Sequence, residues 1–287
     1  MHISGTTQLL GLIGTPVAHS KSPAMYNYCF DKFGLDWAYL AFDVPAEDVG
    51  KAVAAIRTLH MRGANVTMPC KNAVIPFLDE LSPAAQAIQA VNTILNENGR
   101  LIGHNTDGCG YTQNLRRNGV EVAGKKIVLL GGGGAASAIA IQAALEGAAE
   151  ITVFNLKDAF WERVGKGLKS ISQAAPGCKI SLHDLIDRDE LKAAIGRCDI
   201  LSNATRVGMA PYEEQSNITD LSWYRPDLVV TDVVYSPEET KMLREAKAVG
   251  CRTCDGLGML LCQGAAAFRL YSGLEMPVEQ IRQLLYR

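Results

Sequence analysis

The chain has 287 residues, enough for two domains at about 150 residues each and more than a small disulfide-held scaffold requires. Its 28 Lys and Arg against 30 Asp and Glu give a net charge of −2, so no overall positive charge draws it to nucleic acid or to an anionic membrane. With 48% hydrophobic and 20% charged residues, the composition excludes general disorder. We therefore expect a folded protein with a small-molecule partner.

The eight cysteines fall short of the density of a disulfide scaffold, and Cys29 and Cys262 stand in apolar surroundings. These features indicate a reducing compartment. The first residues lack the charged head, apolar stretch and cleavage site of a secretion signal, and apolar runs end well before the roughly 18 residues of a membrane span. We expect a cytoplasmic protein with no membrane segment.

Short apolar runs alternate with segments of helical period, which predicts an α/β fold organised around parallel strands. Ser22 followed by Pro23 is typical of a capped helix start, and Gly34 is placed to end that helix. The turn at 96–99 predicts a hairpin. For the first hundred residues we predict strands near 9–14, 38–43 and 64–67, hairpin strands at 93–95 and 101–103, and helices beginning near Pro23, Ala46 and Lys71.

A helix over 105–118 is predicted to link this domain to a second one, which begins near residue 125. In the helix that follows Val234, Ser236 can act as the cap, Glu239 can close a capping box, and Gly250 marks the end. The second domain is otherwise predicted to contain a helix over 134–146 and strands over 151–155, 200–204 and 228–234, and the helical segments 259–270 and 278–286 are predicted to return to the first domain.

A glycine-rich turn is the strongest chemical motif in the sequence. The apolar run 127–130 is followed by four glycines and two alanines and then by a predicted helix, a G-x-G-x-x-A pattern. Gly131 permits a tight turn, Gly133 allows a pyrophosphate to approach the backbone, and Ala136 allows close helix packing. Backbone amides and the helix dipole would hold the phosphates. The pattern favours dinucleotide binding over the alternative, a glycine turn that only packs a helix closely.

The end of the next strand selects the nucleotide in such folds. Here it reads Asn155, Leu156, Lys157, Asp158. Asn155 can hydrogen-bond a ribose hydroxyl, and the Asp158 carboxylate would repel the 2′-phosphate of NADP, whereas Lys157 would attract it. A solvated Lys-Asp turn without a selective role is an equal alternative.

Three turns of the first domain carry polar residues that suit a small anionic substrate. The hydroxyls of Ser20 and Ser22, with free helix amides, can hold a carboxylate, although Ser22 alone also fits a helix cap. Lys71 stands at a helix start, where the helix dipole opposes its charge, and this unusual placement points to proton transfer. Asp107 either caps the linking helix or pairs with such a lysine.

These residues resemble the shikimate and quinate dehydrogenase family over essentially the whole chain. Seven motifs occur in the family's order: 20–23, 65–71, 90–93, 105–108, the glycine turn, 232–235 and 258–264. The resemblance implies a substrate domain of residues 1–106 plus 260–287, a Rossmann-like NAD(P)-binding domain of residues 107–259, and an active site in the cleft between them. It implies an oxidoreductase that interconverts quinate or shikimate with 3-dehydroquinate or 3-dehydroshikimate.

The resemblance also assigns roles to individual residues. Lys71 and Asp107 would be the catalytic proton-transfer pair. The substrate carboxylate would be held by Ser20, Ser22, Tyr39 and Tyr235, and the ring hydroxyls by Thr67, Asn92, Asp107 and Gln263. The cofactor would be held by Gly132, Gly133, Gly134, Ala135, Asn155, Lys157, Asp158, Arg206, Val233 and Gly256.

One departure from the family pattern bears on the cofactor. NADP-dependent members typically place Arg directly after the strand-end Asn, but this chain has Leu156 there. We therefore predict NAD as the preferred cofactor, with NADP as a second one through Lys157 and Arg206. A strictly NADP-dependent biosynthetic enzyme, a folate-linked dehydrogenase and a non-catalytic quinate or shikimate sensor stay open as alternatives, as does assembly into a homodimer.

Two patterns carry no site prediction. Cys251 and Cys254 form a single C-x-x-C pair in a predicted strand, where residues three apart face opposite sides. The histidines His19, His60, His104 and His183 lack metal-ligand spacing. We predict no metal.

Overall fold

The computed structural model describes residues 3–18 and 20–285, so His19 lies outside the described residues. The chain divides into two compact units, residues 1–106 with 263–287 and residues 107–262. The boundary expected at residue 260 therefore moves to 263. This boundary lies inside one continuous helix, Gly256–Ser272, so no helix-ending residue marks its position in the sequence.

The first unit is built around a mixed six-stranded sheet. Its elements are β1 (Gln8–Gly14), α1 (Ser22–Phe33), β2 (Trp37–Asp43), α2 (Val49–Thr58), β3 (Gly63–Val66), the single turn α3 (Cys70–Ala73), β4 (Glu80–Leu81), α4 (Pro83–Ile88), β5 (Thr93–Glu97) and β6 (Arg100–His104). The strand order is β2-β1-β3-β5-β6-β4. Strands β1, β2 and β3 are parallel, whereas β5 is antiparallel to β3 and β6, which confirms the predicted hairpin.

Helix α1 begins and ends on two different kinds of signal. Its end is confirmed at Gly34, which adopts the left-handed φ of 65° that glycine tolerates best. The predicted Ser22 cap is wrong, because Lys21 occupies the cap position and offers no side-chain hydrogen bond. Instead, the Ser20 hydroxyl oxygen accepts a hydrogen bond from the Ser22 N–H at 3.2 Å. Ser20 therefore takes over the orphan amide that a cap normally satisfies.

The second unit has a fully parallel six-stranded sheet. Its elements are α5 (Asp107–Arg117), β7 (Lys126–Leu130), α6 (Gly134–Leu145), β8 (Glu150–Asn155), α7 (Trp161–Ala174), β9 (Lys179–Asp184), α8 (Arg188–Arg197), β10 (Ile200–Asn203), β11 (Val229–Asp232), α9 (Lys241–Val249) and β12 (Arg252–Cys254). Helix α10 (Gly256–Ser272) crosses the unit boundary, and α11 (Val278–Leu285) belongs to the first unit.

The order of the second sheet is β12-β11-β10-β7-β8-β9. Counted from β7, this is the doubly wound Rossmann order, in which the chain reverses its direction of travel between β7 and β10. Ligands of such sheets bind outside the carboxyl ends of the strands at that switch point. The α/β fold class with a Rossmann-like domain is thus confirmed.

The start of α9 differs from the prediction. The helix begins at Lys241, with Thr240 as its cap, rather than at Ser236 with a capping box to Glu239. Thr240 is fully buried, and its hydroxyl donates to Asp232 Oδ2 at 2.8 Å while its oxygen accepts from the Leu243 N–H. This tertiary contact outweighs the local capping signal. The predicted end at Gly250 is confirmed by its φ of 94°.

Across the described part of the chain, no helix combines the length and apolar character needed to cross a bilayer. All eight cysteines are free thiols, and all except Cys109 are buried. Cys251 and Cys254 are both buried; Cys251 directly precedes β12, and Cys254 is its last residue.

Candidate active-site residues

Asn92 is the centre of a buried hydrogen-bond network in the first unit. Its side chain is 4% exposed, and its Oδ1 accepts from the Thr106 N–H at 2.9 Å and from the Thr93 hydroxyl at 2.9 Å. Its Nδ2 donates to Thr106 Oγ1 at 2.9 Å and to Gln263 Oε1 at 3.4 Å. The network brings together two predicted hydroxyl-binding residues, Asn92 and Gln263, that are far apart in sequence.

Asn65 extends this network and was not predicted as a site residue. Its Nδ2 donates to the Asn92 carbonyl oxygen at 3.3 Å and to Thr93 Oγ1 at 3.2 Å, and its Oδ1 accepts from the Tyr39 hydroxyl at 2.8 Å. The sequence signal was its position as the first residue of the 65–71 motif. Asn65 is 7% exposed, so its contacts orient it firmly.

Tyr39 does not fit the role expected of it. The side chain is fully buried and stacks on Tyr26 with ring centroids 4.5 Å apart. Burial raises the pKa of Tyr39 well above its usual value. Because its hydroxyl donates to Asn65 Oδ1, Tyr39 orients that residue in this structure.

Lys71 and Thr67 flank the same network through the backbone. The Asn92 carbonyl oxygen accepts from the Val66 N–H at 2.8 Å, and the Lys71 carbonyl oxygen accepts from the Val91 N–H at 2.8 Å. These bonds fix the end of β3 and the turn α3 beside the segment that carries Asn92. Thr67, Lys71, Ser20 and Ser22 are all partly solvent-accessible.

Asp107 belongs to the second unit and is the first residue of α5. Its carboxylate lies in the first turn of an 11-residue helix, where the helix dipole stabilises negative charge. The next residue has to be glycine, because a Cβ at Gly108 would lie 2.1 Å from the Ala138 carbonyl oxygen of α6. Asp107 is thus held at the end of a closely packed helix pair, partly exposed.

The glycine turn joins β7 to α6 as predicted. Gly131 has a φ of 102°, and a Cβ there would lie 3.0 Å from the Ala204 carbonyl oxygen. The Gly132 N–H donates to Asn155 Oδ1 at 2.9 Å, which ties the turn to the end of β8. By contrast, a Cβ at Gly133 or Gly134 would meet no heavy atom within 4 Å.

This open backbone fits the diphosphate of a dinucleotide. Gly133 is the cap residue of α6, a 12-residue helix, and the first N–H groups of a helix have no partner within it and can bind an anion. Ala136 is 2% exposed and packs the helix closely on the sheet, as the motif requires. Of the predicted diphosphate-binding residues 132–135, Gly133 and Gly134 thus offer open backbone that a phosphate can approach, whereas a Cβ at Gly132 would lie 2.7 Å from Val164.

The end of β8, which the sequence predicts to select the nucleotide, makes more contacts than the sequence indicated. Asn155 Oδ1 holds Gly132, and Asp158 Oδ1 accepts from the Phe160 N–H at 2.9 Å. Lys157 Nζ lies 3.8 Å from Asp184 Oδ2 and 5.5 Å from the centroid of the Trp161 ring. Asp184 was not predicted, because its proximity depends on the pairing of β8 with β9.

The remaining predicted site residues follow β10, β11 and β12: three were predicted for the cofactor and Tyr235 for the substrate carboxylate. Arg206 is exposed in the loop after β10, Val233 is partly exposed, and Tyr235 is 47% exposed. Gly256 is buried, and a Cβ there would lie 2.3 Å from the Val234 carbonyl oxygen. The backbone after β11 can approach α10 only because position 256 is glycine.

A buried carboxylate, Asp232, organises these loops. Its Oδ1 accepts from Asn203 Nδ2 and from the Val234 N–H, both at 2.9 Å, and its Oδ2 accepts from Thr240. Asn203 in turn accepts from the N–H and the hydroxyl of Thr205. Burial outweighs these donors and raises the pKa of Asp232 to about 6. In the sequence, Asp232 is recognisable only as the first residue of the 232–235 motif.

Comparison with known proteins agrees with this architecture. The family model described as "Shikimate dehydrogenase substrate binding domain" matches residues 12–94, and "Shikimate 5'-dehydrogenase C-terminal domain" matches residues 256–286. The shikimate dehydrogenase (NADP(+)) of Streptococcus uberis is 50% identical over 99% of this chain and 97% of its own length. The chain belongs to the shikimate dehydrogenase family. This confirms the resemblance inferred from its seven motifs.

Solved structures of other shikimate dehydrogenase family proteins superpose along the full chain. The shikimate 5-dehydrogenase of Listeria monocytogenes, in complex with shikimate and NAD, has a TM-score of 0.97 at 45% identity, covering 100% of this chain and 99% of its own. The quinate dehydrogenase of Corynebacterium glutamicum, in complex with NAD, has a TM-score of 0.86 at 31% identity, covering 96% and 98%. The protein is therefore an oxidoreductase of this family.

Proposed function

We propose that this enzyme reversibly oxidises shikimate to 3-dehydroshikimate and quinate to 3-dehydroquinate, with NAD preferred and NADP accepted. The observation that carries the proposal is the Asn92 network beside Lys71, which presents fixed polar groups to a ring that bears several hydroxyls. The first unit would bind the substrate and the second the dinucleotide. The family membership and the relatives that act on shikimate or quinate support this choice.

In the proposed mechanism, Lys71 and Asp107 transfer the proton. During oxidation, Lys71 Nζ accepts the proton of the reacting ring hydroxyl, and Asp107 orients Lys71 and shares that proton. In the reverse direction, protonated Lys71 stabilises the developing negative charge on the oxygen and returns the proton. The nicotinamide supplies the hydride chemistry when it is bound.

The other polar residues bind and orient the substrate. Asn92, Gln263 and Thr67 would hydrogen-bond the ring hydroxyls, and Ser20, Ser22 and Tyr235 the carboxylate. Fixing the ring in one orientation converts a bimolecular encounter into a positioned reaction, which can contribute several kcal/mol to the rate. Asn65 and Tyr39 would act behind Asn92 by holding it in place.

The cofactor preference rests on the end of β8. Residues 132–135 would hold the diphosphate, with Arg206, Val233 and Gly256 lining the site further along. Asn155 and Asp158 would face the adenosine ribose, where a carboxylate accepts hydrogen bonds from a 2′-OH and repels a 2′-phosphate. Position 156 is leucine, so the bidentate phosphate contact that an arginine makes is not available from that position.

The test is the absorbance of the reduced nicotinamide with quinate and with shikimate, each combined with NAD and NADP. We expect turnover with all four pairs and a higher kcat/KM with NAD. Lys71→Ala should reduce kcat by about 10²-fold or more, the usual contribution of a general acid or base. Lys51→Ala is the control, because Lys51 pairs with Asp48 on the surface and should leave kcat unchanged. An active Lys71→Ala enzyme would refute the mechanism, and no turnover with any pair would refute the function.

A strictly NADP-dependent shikimate dehydrogenase is the second candidate. The names of relatives at 45% and 50% identity, which specify NADP(+), favour it. The same assay separates the two candidates: a kcat/KM with NADP well above that with NAD would establish the second. Inactivity towards quinate would remove that substrate from the proposal without affecting shikimate.

A further inference from the structure

Asp184 is a carboxylate at the nucleotide end of the second unit to which sequence analysis gave no role. It ends β9 directly opposite Asn155, the last residue of β8 in the parallel register. The Leu185 N–H donates to the Asn155 carbonyl oxygen at 3.0 Å, which joins the two strand ends beyond the last pair. Asp184 thus lies beside the residues that would face the adenosine ribose.

The Asp184 side chain is fixed rather than freely solvated. Its Oδ1 accepts from the Ile186 N–H at 3.1 Å, which leaves Oδ2 directed to Lys157. The side chain is 23% exposed, compared with 61% for Lys157. The carboxylate is therefore the more buried partner of this ion pair, and the lysine is the more exposed one.

Lys157 is held from two sides. Its ammonium lies 3.8 Å from Asp184 Oδ2 and 5.5 Å from the centroid of the Trp161 ring, within the range of a cation–π interaction. Asp158, although next in sequence, is engaged in the turn that leads into α7 through the Phe160 N–H. The contacts thus assign Asp184, not Asp158, as the carboxylate that engages Lys157.

We propose that Asp184 is a specificity-determining residue, which favours NAD over NADP by engaging Lys157 and so withholding its charge from a 2′-phosphate. This inference rests on the dinucleotide-dependent function proposed above. A 2′-phosphate carries close to two negative charges at neutral pH and needs a cationic partner. To recruit Lys157, it would have to break the contact with Asp184 and leave that carboxylate facing added negative charge.

The experiment measures nucleotide binding in the absence of substrate, so it does not depend on turnover. Dissociation constants for NAD, NADP, 5′-AMP and adenosine 2′,5′-bisphosphate are obtained by isothermal titration calorimetry for the wild type and Asp184→Asn. Asparagine keeps an oxygen for the Ile186 N–H, removes the charge and replaces the other oxygen with an NH2 group. We expect the Kd of the two 2′-phosphate ligands to fall about tenfold, the scale of one charge-assisted hydrogen bond, and the Kd of NAD and 5′-AMP to change less than twofold.

Two further variants make the test specific. In a Lys157→Ala background, Asp184→Asn should give a clearly smaller gain for the 2′-phosphate ligands, because only the direct repulsion by the carboxylate is then relieved. Asp189→Asn removes an equal charge from the exposed first turn of α8 and should leave all four constants unchanged. An unchanged Kd for NADP in Asp184→Asn, a gain that is equally large without Lys157, or an equal gain in Asp189→Asn would each overturn the inference.

The outcome also separates this inference from the cofactor preference proposed above. If the wild type binds NADP more tightly than NAD, the proposed preference fails, while the direction of the Asp184→Asn change still decides the role of Asp184. If the wild type prefers NAD but Asp184→Asn does not improve NADP binding, only the role of Asp184 fails. A wild type that binds none of the four ligands would overturn both.

Discussion

The predicted site residues of the two units are built in opposite ways. In the first unit, Asn65 and Asn92 are buried, and hydrogen bonds fix their side chains: Asn65 donates to the Asn92 carbonyl oxygen and Asn92 donates to Thr106. Side chains of fixed orientation therefore define the predicted site in this unit. In the second unit, Gly133 and Gly134 expose open backbone, and the charged side chains near it are exposed. A ring of hydroxyls requires directional side chains, whereas a diphosphate is bound by backbone amides and a helix end. This contrast supports the proposal that the two units bind chemically different ligands.

Removal of Asn92 would break the side-chain site most severely. Asn92→Ala should lower the free energy of unfolding by about 3 kcal/mol, because it leaves buried groups of Thr106 and Thr93 without their partner. It should also lower kcat/KM for shikimate by at least about tenfold through the loss of a hydroxyl contact. Urea denaturation and initial rates measure the two effects.

Asn96 provides a matched control in β5, the strand that follows Asn92. Its side chain bonds the Met61 carbonyl oxygen and the Gly99 N–H in the hairpin, away from the Asn92 network. Asn96→Ala should destabilise the fold but leave kcat/KM of the folded enzyme unchanged. Equal losses of kcat/KM in both variants would show that the Asn92 effect is a general consequence of instability.

Most of the fold was predictable because its signals are local. Gly34 and Gly250 end their helices where the sequence indicated, and the hairpin at 96–99 follows from its turn residues. The start of α9 was not predictable, because the contact between Thr240 and Asp232 overrides the cap that Ser236 offered. The antiparallel pairing of β5 with β3 likewise depends on contact between distant segments.

The site was predictable to the extent that its residues lie in compact motifs. Lys71, Asn92 and the glycine turn were found in this way. The role of Tyr39 was not, since nothing in the sequence tells whether a strand tyrosine turns its hydroxyl towards substrate or, as here, towards Asn65. Asp184 and Asp232 depend on which strands are neighbours, and single-sequence patterns do not contain that information.

A substitution at Asp232 tests whether the stability of the second unit also depends on a buried side chain. Its pKa of about 6 in the folded protein exceeds the ordinary value of 3.8, so the folded state binds this proton more tightly than the unfolded state. The resulting stabilisation is complete below about pH 4 and is lost as the pH rises through 6. Relative to Asp232→Asn, the wild type should lose up to about 3 kcal/mol of unfolding free energy between pH 4 and pH 7.

The measurement is urea denaturation of both proteins at intervals from pH 4.5 to pH 7.5, with their difference plotted against pH. Contributions from other titrating groups cancel in that difference as long as they do not contact residue 232. A difference that stays flat, or that grows in favour of the wild type as the pH rises, would contradict the raised pKa.

The smallest effect expected is also the one that separates binding from folding. Gly133 has a φ of −75° and a ψ of −170°, which alanine adopts readily, and a Cβ there meets no atom within 4 Å. Gly133→Ala should therefore leave the unfolding free energy unchanged or slightly higher, yet weaken NAD binding about tenfold by placing a methyl group where the diphosphate approaches.

At Gly131, with its φ of 102° and the Ala204 carbonyl oxygen 3.0 Å from a Cβ, alanine should instead destabilise the fold by about 1 to 3 kcal/mol. Calorimetric Kd values for NAD and urea midpoints of both variants distinguish these outcomes. If Gly133→Ala binds NAD as the wild type does, the open backbone of the turn is not where the diphosphate lies, and the contrast between a side-chain site and a backbone site fails in the second unit.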